Sequence, residues 1–466
     1  MGRMPGRIPR HLLPPTTFPS WTPRSFFRHE ILHESRKEGS RARVGRLHTP
    51  HGVVDTPGFV VVGTNGAVKF VDHHAADAAG MQLMFANTLH LVVHPGAEAI
   101  GKAGGLHKLM GRQRPLITDS GGFQIFSFAN RGDPALPGGD ERAAASRAER
   151  SDGDDRGDGD DDRGDGDDND DGGDGDDHVD DDGDVRMASG RRDLKSRDPD
   201  GRRRKYVDDP HATTVRVTEE GATFKSYRDG SDIFLSPETS IGAQKQIGAD
   251  IIIPLDDLPT AGVTGAGLAA SVARTHRWEA RALAAHLADP REQALYCVLH
   301  GGVDYALRAQ SVAHLSALPF DGYAIGGSFG KDRAEMAAML AFLMPHVPRD
   351  KPNHLLGMGD VDSVTLGVRL GIDTFDSSFP TRLGRHGTLL TRAGRLKVGQ
   401  ARYRDDYGPI DPACDGFVAT NFSRAYLHHL WRAREPIVHG LLTLHNIKFM
   451  ADYMAGLRAA ILRDEV

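Results

Sequence analysis

Three aspartates stand where an apolar run gives way to polar residues: Thr118-Asp119-Ser120, Leu255-Asp256-Asp257 and Phe375-Asp376-Ser377. One aspartate after a strand is often a turn former or a helix cap. Three of them converging on one rim describe a reaction site. Clustered carboxylates without a phosphate-binding loop suit glycosidic chemistry, in which one attacks or stabilises an oxocarbenium-like anomeric carbon and another protonates the leaving group. Gly121-Gly122, Gly301-Gly302 and Gly326-Gly327 leave room for a flat ligand to approach backbone groups. Phe123 and Met358 could sandwich a planar base. The residues reach a pocket for a heterocycle with carboxylate-driven chemistry, and stop short of the substrate.

The elements that must position these residues follow a regular rhythm. Short apolar runs recur at 59–63, 81–87, 115–120, 250–257, 294–302, 322–327, 354–359 and 371–377. Helical patterns lie between several of them, at 272–287, 306–315, 333–343 and 363–370. Strands buried on both faces and alternating with helices belong to a parallel sheet. Eight such units predict an α/β chain folded as a (β/α)8 TIM barrel, with an open doubly wound sheet as the competitor. In such a barrel the site is built at the C-terminal strand ends, where all three aspartates fall. After Arg382 the chain turns into a basic loop, then helices at 423–433 and 441–462. In the second of these Ile447, Met450, Met454, Leu457 and Ile461 form an apolar stripe that reads as core packing.

The chain has 466 residues and a net charge of −7. That figure hides a tract at 151–185 with 19 aspartates against two arginines, so the remaining chain is +10. The tract has almost nothing apolar to bury and is expected to be a solvated, disordered linker. Asp167, Asn169, Asp171 and Gly172 match the first half of a calcium loop, but His178 stands where its bidentate glutamate belongs. Two cysteines, Cys297 and Cys414, exclude a disulfide framework and suit a reducing, cytoplasmic setting. No run is long enough for a membrane span. The expected division is a disordered N-terminal extension at 1–27, the barrel's first part at 28–127, a disordered insertion at 128–212, the rest of the barrel at 213–400 and a C-terminal helical subdomain at 401–466.

Longer words in the sequence resemble the tRNA-guanine transglycosylase (queuine/preQ1 tRNA-ribosyltransferase) family. They are Thr118-Asp-Ser-Gly-Gly-Phe-Gln-Ile-Phe-Ser127, Glu219-Glu-Gly-Ala-Thr-Phe-Lys-Ser226 with Asp229-Gly230-Ser231, Phe375-Asp376 with Pro380-Thr-Arg-Leu-Gly-Arg385, Ser423-Arg-Ala-Tyr-Leu-His-His429 and Leu444-His-Asn446. The resemblance implies exchange of a wobble-position guanine in tRNA for a 7-deazaguanine, by double displacement with retention at C1′. Asp376 would be the nucleophile and Asp119 the general acid/base. Asp256 would read the Watson–Crick edge of the base, Phe123 would stack on it, and His300, Gly326, Gly327 and Met358 would complete its pocket. Arg382 and Arg385 would contact the anticodon loop. The implied partners are a tRNA, the free base and a second copy of the chain.

The same resemblance exposes departures. The family's structural zinc takes three cysteines and a histidine. Here Cys414 and His445 remain, while Gly416 and Ala419 occupy the other cysteine positions. Two ligands cannot close a tetrahedral site, so no metal and no other cofactor is expected, with apolar packing around Phe417, Val418 and Phe422 instead. His300 replaces a glutamine, Asp257-Leu258 replaces Glu-Cys, and Phe329 is expected to narrow the pocket entrance. These changes leave two alternatives to the enzyme: a non-catalytic RNA-binding partner subunit, and base exchange in DNA.

Overall fold

The computed structural model describes residues 8–122, 215–259 and 263–466. Phe123, the expected insertion at 128–212 and its calcium-loop half-match lie outside the described residues.

Eight parallel strands close on themselves: β1 (Gly58–Val62), β2 (Met84–Ala86), β3 (Leu116–Thr118), β4 (Ile251–Ile252), β5 (Ala294–Leu299), β6 (Gly322–Ile325), β7 (Asn353–Leu355) and β8 (Thr374–Ser377). Each pairs with the next in sequence, and β8 closes on β1 through Thr374↔Gly58 to Ser377↔Val61. All eight apolar runs became barrel strands, and the doubly wound alternative falls away. The barrel is filled rather than hollow. Val60, Leu83, Phe85, Ile117, Ile251, Tyr296, Val298 and Ala324 form its interior cluster, as a closed sheet with side chains alternating in and out requires. A second, larger cluster lies between strands and helices and includes the last helix's Ile447, Met450, Met454, Leu457 and Ile461.

The helices start where local chemistry starts them. Ser236 opens Pro237–Ile247 with a reciprocal cap, its hydroxyl accepting from the Thr239 N–H and its own N–H donating to Thr239 Oγ1. After β5, β6 and β7 the aspartates Asp304, Asp332 and Asp360 cap the helices Tyr305–Ser316, Arg333–Leu343 and Val361–Arg369 through Leu307, Glu335 and Ser363 N–H groups. Asp360 also accepts from the Arg333 guanidinium at 2.9 Å, which ties its helix to the preceding one.

Two N-terminal features depart from expectation. A three-stranded antiparallel sheet, Arg28–Glu34, Arg43–Thr49 and Gly52–Thr56, precedes the barrel. Its first strand, Arg-His-Glu-Ile-Leu-His-Glu, carries no alternation to betray it. The sheet sends Leu47 and Val54 into the barrel's interior cluster and locks on through Arg43, whose guanidinium forks onto buried Asp373 at 2.8 and 2.7 Å. The stretch expected as a disordered extension at 1–27 is instead docked over its later part. Phe18 packs on the core and Phe27 is buried. The Trp21 indole and the Arg24 guanidinium both donate to Asp321 Oδ1 at 3.0 Å, and the Lys351 ammonium lies 4.6 Å from the Trp21 ring centre. Widely spaced aromatic anchors on an extended, proline-rich segment need no ladder partner, which is why composition hid them.

At the other end Ile437–Leu462 packs across the helix Phe379–Arg385. Their crossing is close at Gly384, where an added Cβ would meet the Thr443 backbone N at 2.7 Å. Asn446 fastens this region: its Oδ1 accepts from the Leu390 N–H at 2.8 Å and its Nδ2 donates to the Pro380 and Thr388 carbonyls. Helix and hairpin (Thr388–Thr391 with Gly394–Lys397) are thereby held together.

Candidate active site

Every described site residue predicted from sequence for the base pocket or the catalytic pair sits at a C-terminal strand end. Asp119 follows β3 directly, Asp256 lies four residues past β4, and His300 and Gly326 follow β5 and β6 directly. Met358, three residues past β7, is partly buried against the main core. Asp376 belongs to β8 itself. Arg382 and Arg385 lie on the helix that begins two residues after β8. Phe123 belongs to the segment outside the described residues.

Asp119 is held by the turn after β2. Its Oδ1 accepts from the Thr88 N–H at 2.7 Å and its Oδ2 from Asn87 Nδ2 at 2.8 Å. Beneath it Thr118 Oγ1 meets Gln244 Oε1 at 2.9 Å, and Gln244 Nε2 donates to the Ile253 carbonyl at 2.8 Å. One buried glutamine thus ties the strands that carry Asp119 and Asp256. Asp376 is held from the neighbouring strand: its Oδ1 accepts from the Gly357 N–H at 3.0 Å and lies 3.1 Å from His354 Nε2. The ring's Nδ1 lies 2.9 Å from Thr374 Oγ1. Among the described residues no hydrogen bond reaches Asp376 Oδ2.

Asp256 is strongly perturbed by its surroundings. Burial pushes its carboxyl up to about 7, against a bond from its own backbone N–H, and the charges of Asp257 and Asp119 add to the rise. Gly122 is needed beside it, since a Cβ there would come within 2.8 Å of Asp256 Oδ1. Asp257 is occupied elsewhere, with Oδ2 on the Arg274 guanidinium at 2.6 Å.

A titration follows. An acid whose folded pKa is raised binds more protons folded than unfolded, so stability falls as pH rises between the two values. For Asp256 that window runs from its ordinary 3.8 to about 7. Asp256→Asn removes the carboxyl, so this variant should melt above the parent at pH 8, with the gap closing toward pH 5. Parallel melting curves for the two proteins across this range would contradict the assignment.

His300 is fully buried and its Nε2 lies 2.8 Å from Thr275 Oγ1. Burial pushes its pKa down to about 3, with the nearby Arg308 and His276 acting in the same direction, so the ring is neutral. Arg308 was not legible in the sequence. Its buried guanidinium donates to the carbonyls of Leu299, Gly302, Gly326 and Ser328 at 2.8 to 2.9 Å and so clamps the ends of β5 and β6. Gly327, at φ +77°, packs where a Cβ would meet His300 Cβ at 3.1 Å. Phe329 corrects an expectation: it is 5% exposed and lies under the Arg308 guanidinium, 4.6 Å from ring centre to Cζ. Turned inward by that cation–π contact, it does not narrow an entrance.

The family model described as queuine tRNA-ribosyltransferase matches residues 38–135 and 208–466. The chain belongs to the queuine tRNA-ribosyltransferase family. Proteins named queuine tRNA-ribosyltransferase from Protochlamydia amoebophila and Chlamydia abortus are 43% and 40% identical to it, over 94% of this chain and 96% and 98% of theirs. The Chlamydia muridarum protein of that name is 40% identical over 94% of this chain and 99% of its own. Membership makes the chain a pentosyltransferase of tRNA modification.

The zinc ligands of a queuine tRNA-ribosyltransferase do not fit here. Two of the four ligand positions hold no metal-binding side chain, Gly416 and Ala419, and two ligands cannot close a tetrahedral site. His445 Nε2 is 2.9 Å from the Leu390 carbonyl. The side chain packed on Gly416 is Lys448, whose ammonium lies 2.7 Å from both Asp415 Oδ1 and Asp452 Oδ1. A cation ties the loop to the last helix where the family would hold a metal. The expected apolar replacement is present in two of its three residues: Val418 is buried and Phe422 packs on the same cluster, but Phe417 is 60% exposed. A second histidine–aspartate group, His51, His107 and Asp250, has donor atoms within 4.8 Å of one another. Its imidazoles stack at 3.5 Å and 11°, and rings in parallel planes cannot both aim in-plane lone pairs at one ion. Asp250 instead binds His51 Nδ1 and the Leu116 N–H, each at 2.8 Å.

Proposed function

We propose that the enzyme exchanges guanine at the anticodon wobble position of tRNA for a 7-deazaguanine of the preQ1 type, through a covalent ribosyl ester of Asp376. The observation that carries this is the asymmetry of Asp376: Oδ1 is fixed by the Gly357 N–H and His354, which leaves Oδ2 for attack on ribose C1′. In the first half-reaction the Oδ2–C1′ bond forms, the C1′–N9 bond breaks, and guanine leaves with a proton delivered through Asp119. In the second, the incoming base gives up its N9 proton to Asp119, attacks C1′ and frees the carboxylate. Two inversions restore the configuration.

In this reading the ionised Asp256 accepts from the N1–H and exocyclic amine of the base. His300 contributes a donor. In this reading Thr275 Oγ1, which accepts from the Asp257 N–H at 2.9 Å, gives its proton to His300 Nε2 at 2.8 Å in preference to the Asp257 carbonyl at 3.4 Å, and the ring proton sits on Nδ1. Gly326 and Gly327 present backbone groups, Met358 flanks the ring, and Arg382 and Arg385 hold the anticodon loop. Among the described residues no helix is long and apolar enough to cross a membrane, and a tRNA substrate suits the cytoplasm.

The test is incorporation of radiolabelled guanine into unmodified tRNA with a wobble guanine, with trapping of the adduct on a denaturing gel. Incorporation and an adduct support the enzyme. Tight tRNA binding without either indicates a non-catalytic partner subunit, and exchange in DNA alone redirects the substrate. Light scattering on the same preparation reports whether two copies associate.

We also propose that the enzyme carries no structural zinc, on the strength of the Lys448 ion pairs. Metal analysis of the purified chain should find well under one zinc per chain, and a chelator should leave its melting temperature unmoved. Stoichiometric zinc would overturn this.

A further inference from the structure

Between Phe379 and Arg404 the sequence holds seven arginines and lysines and no aspartate or glutamate. Two of them, Arg382 and Arg385, are already assigned to the anticodon loop. The other five are Arg392, Arg395, Lys397, Arg402 and Arg404, on the hairpin after the helix and the short turn that follows. All five are exposed, and no ion pair joins any of them to an acidic side chain among the described residues.

Their placement is what gives the charge a partner. The hairpin is fixed beside the active site by Asn446. Arg395 reaches back over Phe379, its Cζ 5.2 Å from the ring centre, and Phe379 is three residues from Asp376. Arg395 and Lys397 alternate with buried Leu396 on one strand, so both leave the same side, about 7 Å apart along it. Charged residues on an edge strand can simply guard against aggregation. That role needs neither five cations of one sign nor a position against the helix that follows the catalytic strand.

We infer that this hairpin is a phosphate-binding ledge for the tRNA strand that flanks the exchanged nucleotide, with Arg395 and Lys397 at its centre and Arg402 and Arg404 extending it. The inference rests on the tRNA reading above. Once the ribose is seated on Asp376, the neighbouring backbone must leave the pocket past the helix Phe379–Arg385, and the hairpin adjoins that helix. Lysine and arginine there neutralise phosphates and release counterions without reading bases.

The experiment measures tRNA binding by filter retention between 50 and 300 mM salt, alongside the KM values for tRNA and for free guanine. The full chain is compared with Arg395→Gln/Lys397→Gln and with Arg395→Lys/Lys397→Arg. The neutral pair should raise the tRNA KM by about three- to tenfold and flatten the plot of log K against log salt by about 0.7 to 0.9 for each phosphate lost. The charge-preserving pair should recover the slope, and the KM for guanine should not move. A slope and tRNA KM unchanged in the neutral pair, with exchange intact, would overturn the ledge. Absence of exchange in the parent chain would instead overturn the catalytic reading, which the binding slope does not depend on.

Discussion

Asp376→Asn should abolish guanine exchange to within detection, a loss on the order of 10⁴-fold or more by analogy with the removal of other catalytic nucleophiles and their partners. The argument is geometric before it is chemical. An asparagine at 376 keeps an oxygen to accept from the Gly357 N–H at 3.0 Å, so the end of β8 should keep its shape. What disappears is the anionic Oδ2, because an amide is too weak a nucleophile to open the C1′–N9 bond. The variant should bind tRNA with about the parent's affinity and form no adduct on the denaturing gel. Exchange above about one tenth of the parent rate would transfer the nucleophile's role to another group. His354 lies within 3.1 Å of Asp376 and is fully buried, so it is a positioning residue for this carboxylate rather than a competitor for its role.

Much of this site was legible because most barrel strands are buried on both faces and lie within short apolar runs. The residue that ends such a run is the one that meets the pocket. Aspartate at a strand end was not sufficient by itself. Asp304, Asp332 and Asp360 also follow barrel strands, and each caps the helix it starts, Asp360 pairing with Arg333 as well. What separates Asp119 and Asp376 is their partners. Asn87 and Thr88 lie 32 and 31 residues from Asp119, and His354 lies 22 from Asp376. No local pattern encodes such pairs. Arg308 escaped for a related reason: it looked like the polar side of an ordinary helix, yet its guanidinium serves four carbonyls on two strand ends. Phe329 shows the opposite error, since a large aromatic beside a glycine pair reads as a gate until the cation that buries it is known. The polar N-terminal strand Arg28–Glu34 had no periodicity to find, because it meets the rest of the protein through single polar side chains: His29 lies 3.9 Å from Asp373, and Glu34 pairs with Arg349 at 2.7 Å.

Asp119→Asn should slow exchange by about 10² to 10⁴-fold, the range typical of a lost general acid/base, while tRNA binding and the fold survive. Thr88 N–H can still donate to the remaining oxygen, and the new amide would face Asn87 Nδ2, a conflict that rotating the Asn87 amide relieves. The structural disturbance is therefore small and the chemical one large: guanine must leave, and the second base must enter, without a group to move the proton. Asn87→Ala supplies the contrast. It removes one of the two hydrogen bonds that the described residues make to the Asp119 side chain, and a net hydrogen bond contributes about 0.5–1.5 kcal/mol, so the loss in rate should be about two- to tenfold. The order of effects is the decisive reading of the labelled-guanine assay. If Asp119→Asn proved as mild as Asn87→Ala, Asp119 would be a residue that shapes the pocket, and the proton would have to travel through another group. The predicted order requires the carboxylate itself, not merely the turn around it, because the two variants disturb the same hydrogen-bonded pair and only one of them removes the proton carrier.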